Sequence, residues 1–156
     1  ILESVGSTGR LALTELRSLL GALDPAAEAA TPDLAAADRI SRMVDRLRET
    51  GYPVSLQTVG PVEQISSEIT RVMRSVAREA VTNAMKHARG EEVRLVVRAT
   101  ADLAELTVTN AVPLGTRPPA AGRGMSGIMS TVADAGGAFT AEVTDGRYTA
   151  TARWEL

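Results

Sequence analysis

The sequence contains no cysteine, a single histidine and few aromatic residues, and the lack of cysteine and of aromatic residues each excludes a kind of site. Without cysteine, the 156 residues cannot form disulfides or thiolate metal sites, which favours a reducing, cytoplasmic location. Aromatic residues make up 3% of the chain and are widely spaced, so we expect no stacking platform for nucleic acid. No apolar run approaches the roughly 20 residues that cross a bilayer, so we expect no membrane contact by this chain.

What is present has the composition of an ordinary globular domain. The chain is 44% hydrophobic and 23% charged, with a net charge of -2 and a mean hydropathy of +0.01. These values exclude both a disordered polyanion and a basic nucleic-acid-binding arm. The sequence opens at Ile1 without a signal-peptide pattern, so we expect it to be a piece of a longer protein.

The best-marked boundary lies near the N-terminus. Residues 1–23 predict a helix with a narrow apolar seam at steps of three and four, which is typical of helices that supercoil around a partner. Prolines and small residues over 24–33 predict a linker. Residues 34–156 are therefore expected to form the main domain.

The order of elements in that domain predicts its fold class. Periodicity and turn signals predict helices over 34–49, 64–88 and 125–135, and strands over 53–59, 92–99, 105–110, 138–144 and 147–156. The composition of 111–124 predicts a loop. Strands arrive in pairs, so we expect an α+β two-layer sandwich, with a mixed sheet of about five strands covered on one face by three helices.

The 64–88 helix carries the first candidate site. Glu79, Asn83 and Lys86 fall within roughly 60° of helical arc, on a stripe that is apolar in earlier turns. An asparagine oxygen suits Mg²⁺, a glutamate can activate a nucleophile, and a lysine can offset phosphate charge. A solvated helix face explains the same trio. His87 either contacts phosphate or caps the helix end.

The second candidate site is the glycine segment Gly122-Arg123-Gly124-Met125-Ser126-Gly127. It does not follow the first strand, so the dinucleotide-binding interpretation is rejected. A phosphate site is favoured, because glycines let backbone N–H groups approach an anion at the start of a helix. Pro113 to Pro119 would then form a lid. A flexible loop with a glycine hinge is the alternative.

Two segments resemble motifs of a known family. Residues 78–88, REAVTNAMKHA, closely resemble the N-box of sensor histidine kinases of the nitrate-sensor type, and 122–128, GRGMSGI, resemble their G2 box. The resemblance covers about 34–156 and implies the Bergerat fold, shared with DNA gyrase and the mismatch-repair protein MutL. It implies a catalytic domain that binds ATP and Mg²⁺ and transfers the γ-phosphoryl group to a histidine on a dimerisation hairpin, for relay to an aspartate of a response regulator.

The resemblance assigns a role to each matching residue. Asn83 would bind the Mg²⁺ that bridges the ATP phosphates, and Glu79 would be the catalytic residue that assists phosphoryl transfer. The remaining ATP-binding residues would be Lys86, His87, Asn110, Gly122, Arg123, Gly124, Met125 and Gly127. We expect the polar end of the 64–88 helix and the glycine segment to converge on the triphosphate.

The sequence departs from the family at the adenine-binding box. Where the family has D-x-G-x-G, this chain has Asn110-Ala111-Val112-Pro113. Asn110 can still accept a hydrogen bond from the adenine amino group, but a neutral acceptor does so less strongly than a carboxylate. We therefore expect weak nucleotide affinity.

The N-terminal helix resembles the end of the second helix of the dimerisation and phosphoacceptor hairpin. The helix with the phosphorylated histidine is missing, and His87 belongs to the N-box. We therefore expect a fragment that does not autophosphorylate, whose partners are the hairpin of a homodimeric parent kinase and a response regulator. Two alternatives stay open: an anti-sigma-factor serine kinase of the same fold, and a non-catalytic module that binds a partner.

Overall fold

The computed structural model describes residues 36–88, 90–117 and 123–156, together with Arg17, Leu20 and Gly21. The predicted N-terminal helix and the linker over 24–33 lie outside the described residues apart from those three. The described part contains helices α1 (Ala36–Glu49), α2 (Ser67–His87) and α3 (Arg123–Asp134), and a 3-10 turn over Val62–Gln64. Its strands are β1 (Val54–Val59), β2 (Val93–Ala99), β3 (Leu103–Ala111), β4 (Ala138–Thr144) and β5 (Arg147–Glu155).

The strands form one mixed sheet in the order β1-β2-β3-β5-β4. β1 pairs with β2 in parallel, and the other pairs are antiparallel. Along β2, β3 and β5 buried side chains alternate with more exposed ones, and the pairing register places the buried positions on one face. The three helices pack on that face. The predicted α+β sandwich with a mixed five-stranded sheet is therefore confirmed.

The core is built from aliphatic side chains, as the scarcity of aromatic residues requires. Helix α1 buries Ile40, Met43, Val44 and Leu47 at helical spacing. Trp154 on β5 is the largest fully buried side chain among the described residues, and its indole packs against Gly137. A Cβ on Gly137 would lie 2.5 Å from Trp154 Nε1, so this contact requires glycine.

The ends of the first two helices follow from local chemistry. α1 ends at Glu49, and Gly51 follows it with a φ of +82° in the left-handed region, a conformation that glycine favours after a helix. α2 begins at Ser67 because the side chain of Ser66 accepts a hydrogen bond from the backbone N–H of Ile69. The predicted start at residue 64 was early, since 62–64 form the separate 3-10 turn.

The predicted loop over 111–124 is shorter at both ends. β3 continues to Ala111, which pairs with Arg147, and the N–H of Val112 donates to the carbonyl of Gly146 at 2.8 Å. The hairpin tip between β4 and β5 thus holds the end of β3 in place. At the other side, α3 begins at Arg123, two residues before the predicted start.

Candidate functional site

A cavity of about 310 Å³ lies where the last turns of α2 meet the ends of β3 and β5. This volume is at the lower end of the range for small-molecule pockets. Helix α2 contributes Asn83, Ala84, His87 and Ala88, the strands contribute Asn110, Val143 and Tyr148, and the segment after β3 contributes Val112, Pro113, Thr116 and Arg117. The cavity therefore joins the polar end of α2 to the strand position of the family's adenine box.

Helix α2 provides one polar wall. Asn83 and His87 are four residues apart, so they share a face, and Asn83 is half-buried while His87 is exposed. His87 is the last residue of the helix, where a positive charge interacts favourably with the helix dipole. A side-chain amide and an imidazole thus line the same cavity.

The opposite wall is a pair of side chains on neighbouring strands. Asn110 on β3 lies directly across from Tyr148 on β5, and both are buried. The Nδ2 of Asn110 donates to the carbonyl of Ala111 at 3.0 Å, so its Oδ1 is the acceptor that this side chain can offer. Among the residues that the structure describes, none hydrogen-bonds to the buried Tyr148 hydroxyl. Buried polar groups are nearly always hydrogen-bonded, and Tyr148 lines the cavity, so a molecule bound there is one group that can supply the partner.

Tyr148 keeps its proton at neutral pH. Burial of the phenol, and secondarily the negative charge of Glu79, raise the pKa of Tyr148 above its ordinary value of 10.0. The protonated hydroxyl can therefore act as a hydrogen-bond donor as well as an acceptor.

The segment after β3 forms a turn at the mouth of the cavity. The backbone N–H and the hydroxyl of Thr116 both donate to the carbonyl of Pro113, at 3.1 and 2.6 Å. Leu114, inside this turn, is 86% exposed and approaches Gly146 at the hairpin tip. The first half of the predicted lid is thus an ordered turn that rests on the hairpin, and 118–122 lie outside the described residues.

The two segments that carry the sequence motifs are in contact. Gly124 in the first turn of α3 approaches the carboxylate of Glu79 on α2 so closely that a Cβ on the glycine would collide with Oε1 and lie 2.8 Å from Cδ. Glu79 also lies near enough to Tyr148 for its charge to act on the phenol. The expected convergence of the helix and the glycine segment is therefore present, with Glu79 between α3 and the cavity wall.

The glycine segment differs in local structure from the predicted loop. Gly124 and Gly127 lie within α3 and not before it, so the free N–H groups of this segment are those of the helix's first turn. The predicted site residue Gly122 and the side chain of Arg123 lie outside what the structure describes.

Some predicted site residues are not brought to the cavity. Lys86 is exposed and does not line it. The side chain of Met125 is buried in a small apolar cluster with Tyr148 and Ala150. Met125 therefore supports the wall of the cavity from behind.

Sequence reasoning missed Tyr148, Thr116 and Arg117. The alternation along β5 marks Tyr148 as an inward position, and this was the only signal for it. Thr116 and Arg117 fall in the predicted lid, where periodicity does not indicate which way a side chain points.

Among the residues that the structure describes, no helix is long and apolar enough to cross a membrane.

Comparison with known proteins identifies the fold. No protein-family model matches the chain. The structure resembles the histidine kinase domain of the Erythrobacter litoralis blue-light activated histidine kinase, with a TM-score of 0.60 and 14% identity over 96% of this chain and 82% of that one. It also resembles the Acinetobacter baumannii histidine kinase AdeS, with a TM-score of 0.55 and 14% identity over 99% of this chain and 81% of that one.

A third similar structure is the catalytic domain of the histidine kinase ThkA, with a TM-score of 0.57 and 13% identity over 78% of this chain and 92% of that one. At these identities the likeness concerns the fold: the chain matches catalytic ATP-binding domains of histidine kinases by structure. A shared fold does not establish the function of a site, which depends on the chemistry of the residues that form it.

Proposed function

We propose that this chain is the ATP-binding catalytic domain of a sensor histidine kinase, of the nitrate-sensor type that its N-box resembles. The observation that carries the proposal is the cavity in which Asn83 of α2 faces Asn110 and Tyr148 of the sheet. Asn83 and Asn110 come from the two motif positions that bind the metal and the base in the resembling family, whereas Tyr148 belongs to neither motif. The fold supports the proposal, since solved structures similar to this one are histidine kinase catalytic domains.

The polar groups of the cavity suit the two ends of ATP. Asn110 and Tyr148 offer a neutral acceptor and a neutral donor, which match the amino group and a ring nitrogen of adenine. The first turn of α3 offers free backbone N–H groups, which favour phosphate oxygens. Arg117 at the mouth adds a positive charge that the sequence motifs do not include. We assign the base to the sheet side and the phosphates to the α2–α3 side.

The residues present fit a magnesium ion that is shared with the nucleotide. Mg²⁺ takes oxygen ligands and keeps several waters or phosphate oxygens, so it needs few protein groups. Asn83 supplies one half-buried amide oxygen. The described residues contain no group of three or more His, Asp or Glu side chains that could hold a metal, so the triphosphate would provide most of the ligands. A bound Mg²⁺ would neutralise charge on the transferred group.

The proposed reaction is transfer of the γ-phosphoryl group to a histidine of the dimerisation hairpin. The bond from phosphorus to the bridging oxygen breaks, a phosphorus–nitrogen bond to the imidazole forms, and ADP leaves with the electron pair. Glu79 would orient the imidazole and accept its proton, while Asn83 and α3 hold the phosphates. A response-regulator aspartate would then take the phosphoryl group. The parent would be a homodimeric cytoplasmic kinase or one anchored in the membrane.

Calorimetric titration with Mg²⁺ and ADP tests the binding step. We expect saturable binding that chelation of Mg²⁺ weakens, and Asn83→Ala should reduce the affinity at least a hundredfold, because it removes the metal ligand and an N-box contact. Gln57→Ala, on an exposed position of β1, is the matched control and should bind like the original chain. Absence of saturable binding at millimolar nucleotide would refute the proposal and favour the partner-binding module.

The acceptor of the phosphoryl group separates the two kinase hypotheses. The chain is mixed with labelled ATP and either a histidine-bearing dimerisation hairpin or an anti-anti-sigma protein. A histidine kinase gives acid-labile phosphate on the hairpin, and an anti-sigma serine kinase gives acid-stable phosphate on the other acceptor. Stoichiometric phosphohistidine on the isolated chain would contradict the expectation that it does not autophosphorylate.

A further inference from the structure

We infer that the free edge of strand β4 is a self-association surface, on which a second copy of this chain pairs antiparallel about Ala141. β4 is an edge strand of the sheet. Among the residues that the structure describes, no backbone group hydrogen-bonds to its outer edge. An edge strand with unpaired N–H and C=O groups is a template for another strand. The inference does not depend on nucleotide binding.

β4 lacks the features that normally protect an edge. Its seven residues, AFTAEVT, contain no proline and no lysine, and Glu142 is the single charge. The opposite edge, β1, is one residue shorter and is flanked by Pro53 and Pro61. The two edges of the sheet are therefore not equivalent, and β4 is the one open to pairing.

The sequence of β4 is complementary to itself in one register. With Ala141 opposite Ala141 of the second copy, all seven residues pair, and Phe139 lies opposite Val143 on the half-buried face. On the other face Thr140 lies opposite Glu142, so no like charges are directly opposed. The two Glu142 carboxylates are diagonal neighbours, which repel less than an opposed pair. A shift of the centre to residue 142 would oppose the two carboxylates.

Helix α3 adds an apolar side chain at the same edge. Its buried residues Met125, Ile128 and Val132 face the sheet, while Gly124 faces α2 through Glu79. At 100° per residue, Met129 lies roughly 140° around the helix from Gly124, on the flank away from α2. Because α3 packs over β4, that flank borders the free edge. Met129 is 48% exposed, and a second copy paired on β4 would cover it.

Substitutions of opposite charge at Thr140 test the register. Thr140 is exposed and pairs with Thr151 within the chain, so Glu or Lys there should leave the fold unchanged. In the dimer, Thr140→Lys gains two contacts with Glu142 and should raise the association constant about threefold to tenfold, and Thr140→Glu should lower it by a similar factor. Sedimentation velocity over a concentration series, without nucleotide, measures both.

Thr144 gives a matched control on the same strand. It lies opposite Ala138 in the proposed register, so Thr144→Lys and Thr144→Glu should differ little in association. Hydrogen exchange gives an independent readout, since β4 amides that point outward should become protected as concentration rises. The inference is overturned by a chain that stays monomeric at every soluble concentration, or by Thr140→Lys and Thr140→Glu variants that associate equally. Either result would leave the proposed function untouched.

Discussion

The two tyrosines of this chain are both buried, and no described residue hydrogen-bonds to either hydroxyl, yet they lie in different regions of the molecule. Tyr52 follows α1 and packs in the main aliphatic core. Tyr148 belongs to a smaller cluster and lines the cavity. Tyr148 lines the cavity and Tyr52 does not, so we propose that a bound ligand supplies a partner to the Tyr148 hydroxyl, whereas the Tyr52 hydroxyl stays unpaired.

Helix α2 shows the same division along its length. Its first half buries Val72, Met73 and Val76 against the sheet. Its last turns carry Glu79 and Asn83, both half-buried, toward α3 and the cavity. We call the main aliphatic core and the residues in contact with it, including Tyr52 and Gly60, the packing end of the molecule. We call the last turns of α2, together with α3 and the cavity with Asn110 and Tyr148, the pocket end. If the division holds, substitutions at the packing end should change stability alone, and substitutions at the pocket end should change ligand handling at nearly constant stability.

The largest effect is expected at the packing end, for Gly60→Ala. Gly60 has a φ of +80°, and a Cβ there would collide with the backbone carbonyl oxygen of Ala99, which cannot move without distorting β2. Left-handed strain costs about 1 kcal/mol, and the backbone clash should bring the total loss to roughly 3 kcal/mol or more. Urea denaturation measures the loss.

Gly51→Ala is the matched control for this prediction. Gly51 has a φ of +82° but nothing within 4 Å of an added Cβ. Gly51→Ala therefore measures the cost of the left-handed backbone conformation without a steric clash. It should cost only about 1 kcal/mol. Equal losses for the two variants would show that the contact with Ala99 contributes nothing.

The second effect is a pH dependence at the packing end. Burial raises the pKa of Tyr52 to about 12 from 10.0. The unfolded chain therefore ionises first, so the stability contribution is fully present below pH 10 and is lost as the pH rises through about 12. The loss should approach roughly 2 to 3 kcal/mol. Tyr52→Phe should remove the share of this dependence that comes from Tyr52 and leave the share from Tyr148, whose pKa is also raised. Stability at neutral pH should not fall, because no hydrogen bond to a described residue is broken.

Alkaline titration of the folded chain checks the same point. Tyrosinate absorbance should show that Tyr52 stays protonated in the folded chain well above pH 10, in the intact chain and in Tyr148→Phe alike. An alkaline stability curve that is unchanged by Tyr52→Phe would assign the pH dependence to other groups.

The third effect is expected at the pocket end, for Gly124→Ala. The new Cβ would displace the carboxylate of Glu79, which is the end of a flexible side chain and can move. Stability should change by less than about 1 kcal/mol, since alanine also favours the helix. Phosphoryl transfer to a supplied hairpin should fall about tenfold, because Glu79, the general base that we propose, would lose its alignment. Nucleotide affinity should stay within about threefold.

A double-mutant cycle tests whether Gly124→Ala lowers phosphoryl transfer by displacing Glu79. In a Glu79→Ala chain, Gly124→Ala should cause no further loss of transfer, since the group that it displaces is gone. Additive losses would show that Gly124 acts through something other than Glu79.

The packing end was largely predictable from the sequence, because the spacing of apolar residues along the chain is enough to identify its buried faces. The 3.6-residue spacing of α1 and the alternation of β2 and β3 identify which faces are buried, and Gly51 marks where α1 ends. The scarcity of aromatic residues correctly predicts an aliphatic core. These features are local, so no knowledge of the neighbouring elements is needed.

The pocket end was predictable only in part, because its geometry is tertiary. The motifs predict that Glu79 and the glycine segment meet, and Gly124 contacts Glu79. The early start of α3 was missed, since two glycines disfavour a helix that packing against α2 then stabilises. Alternation places Tyr148 inward, but only the pairing of β3 with β5 places it beside Asn110 at the cavity. Lys86 shares the stripe of Asn83 and yet lies outside the cavity.

The smallest effect is expected for Tyr148→Phe, and it discriminates most directly between the two ends. The phenyl ring keeps the packing with Met125 and Ala150, and the removed hydroxyl has no protein partner, so stability should be unchanged or slightly higher. Affinity for Mg²⁺ and ADP should fall about fivefold, which corresponds to one neutral hydrogen bond of roughly 1 kcal/mol. Calorimetry with deaza analogues of ADP sharpens the test, because the variant should lose nothing toward the analogue that lacks the contacted ring nitrogen. If Tyr148→Phe and Tyr52→Phe bind ADP equally well, the hydroxyl of Tyr148 contributes no more to binding than that of Tyr52. On the sheet side, the nucleotide site would then include Asn110 but not the Tyr148 hydroxyl.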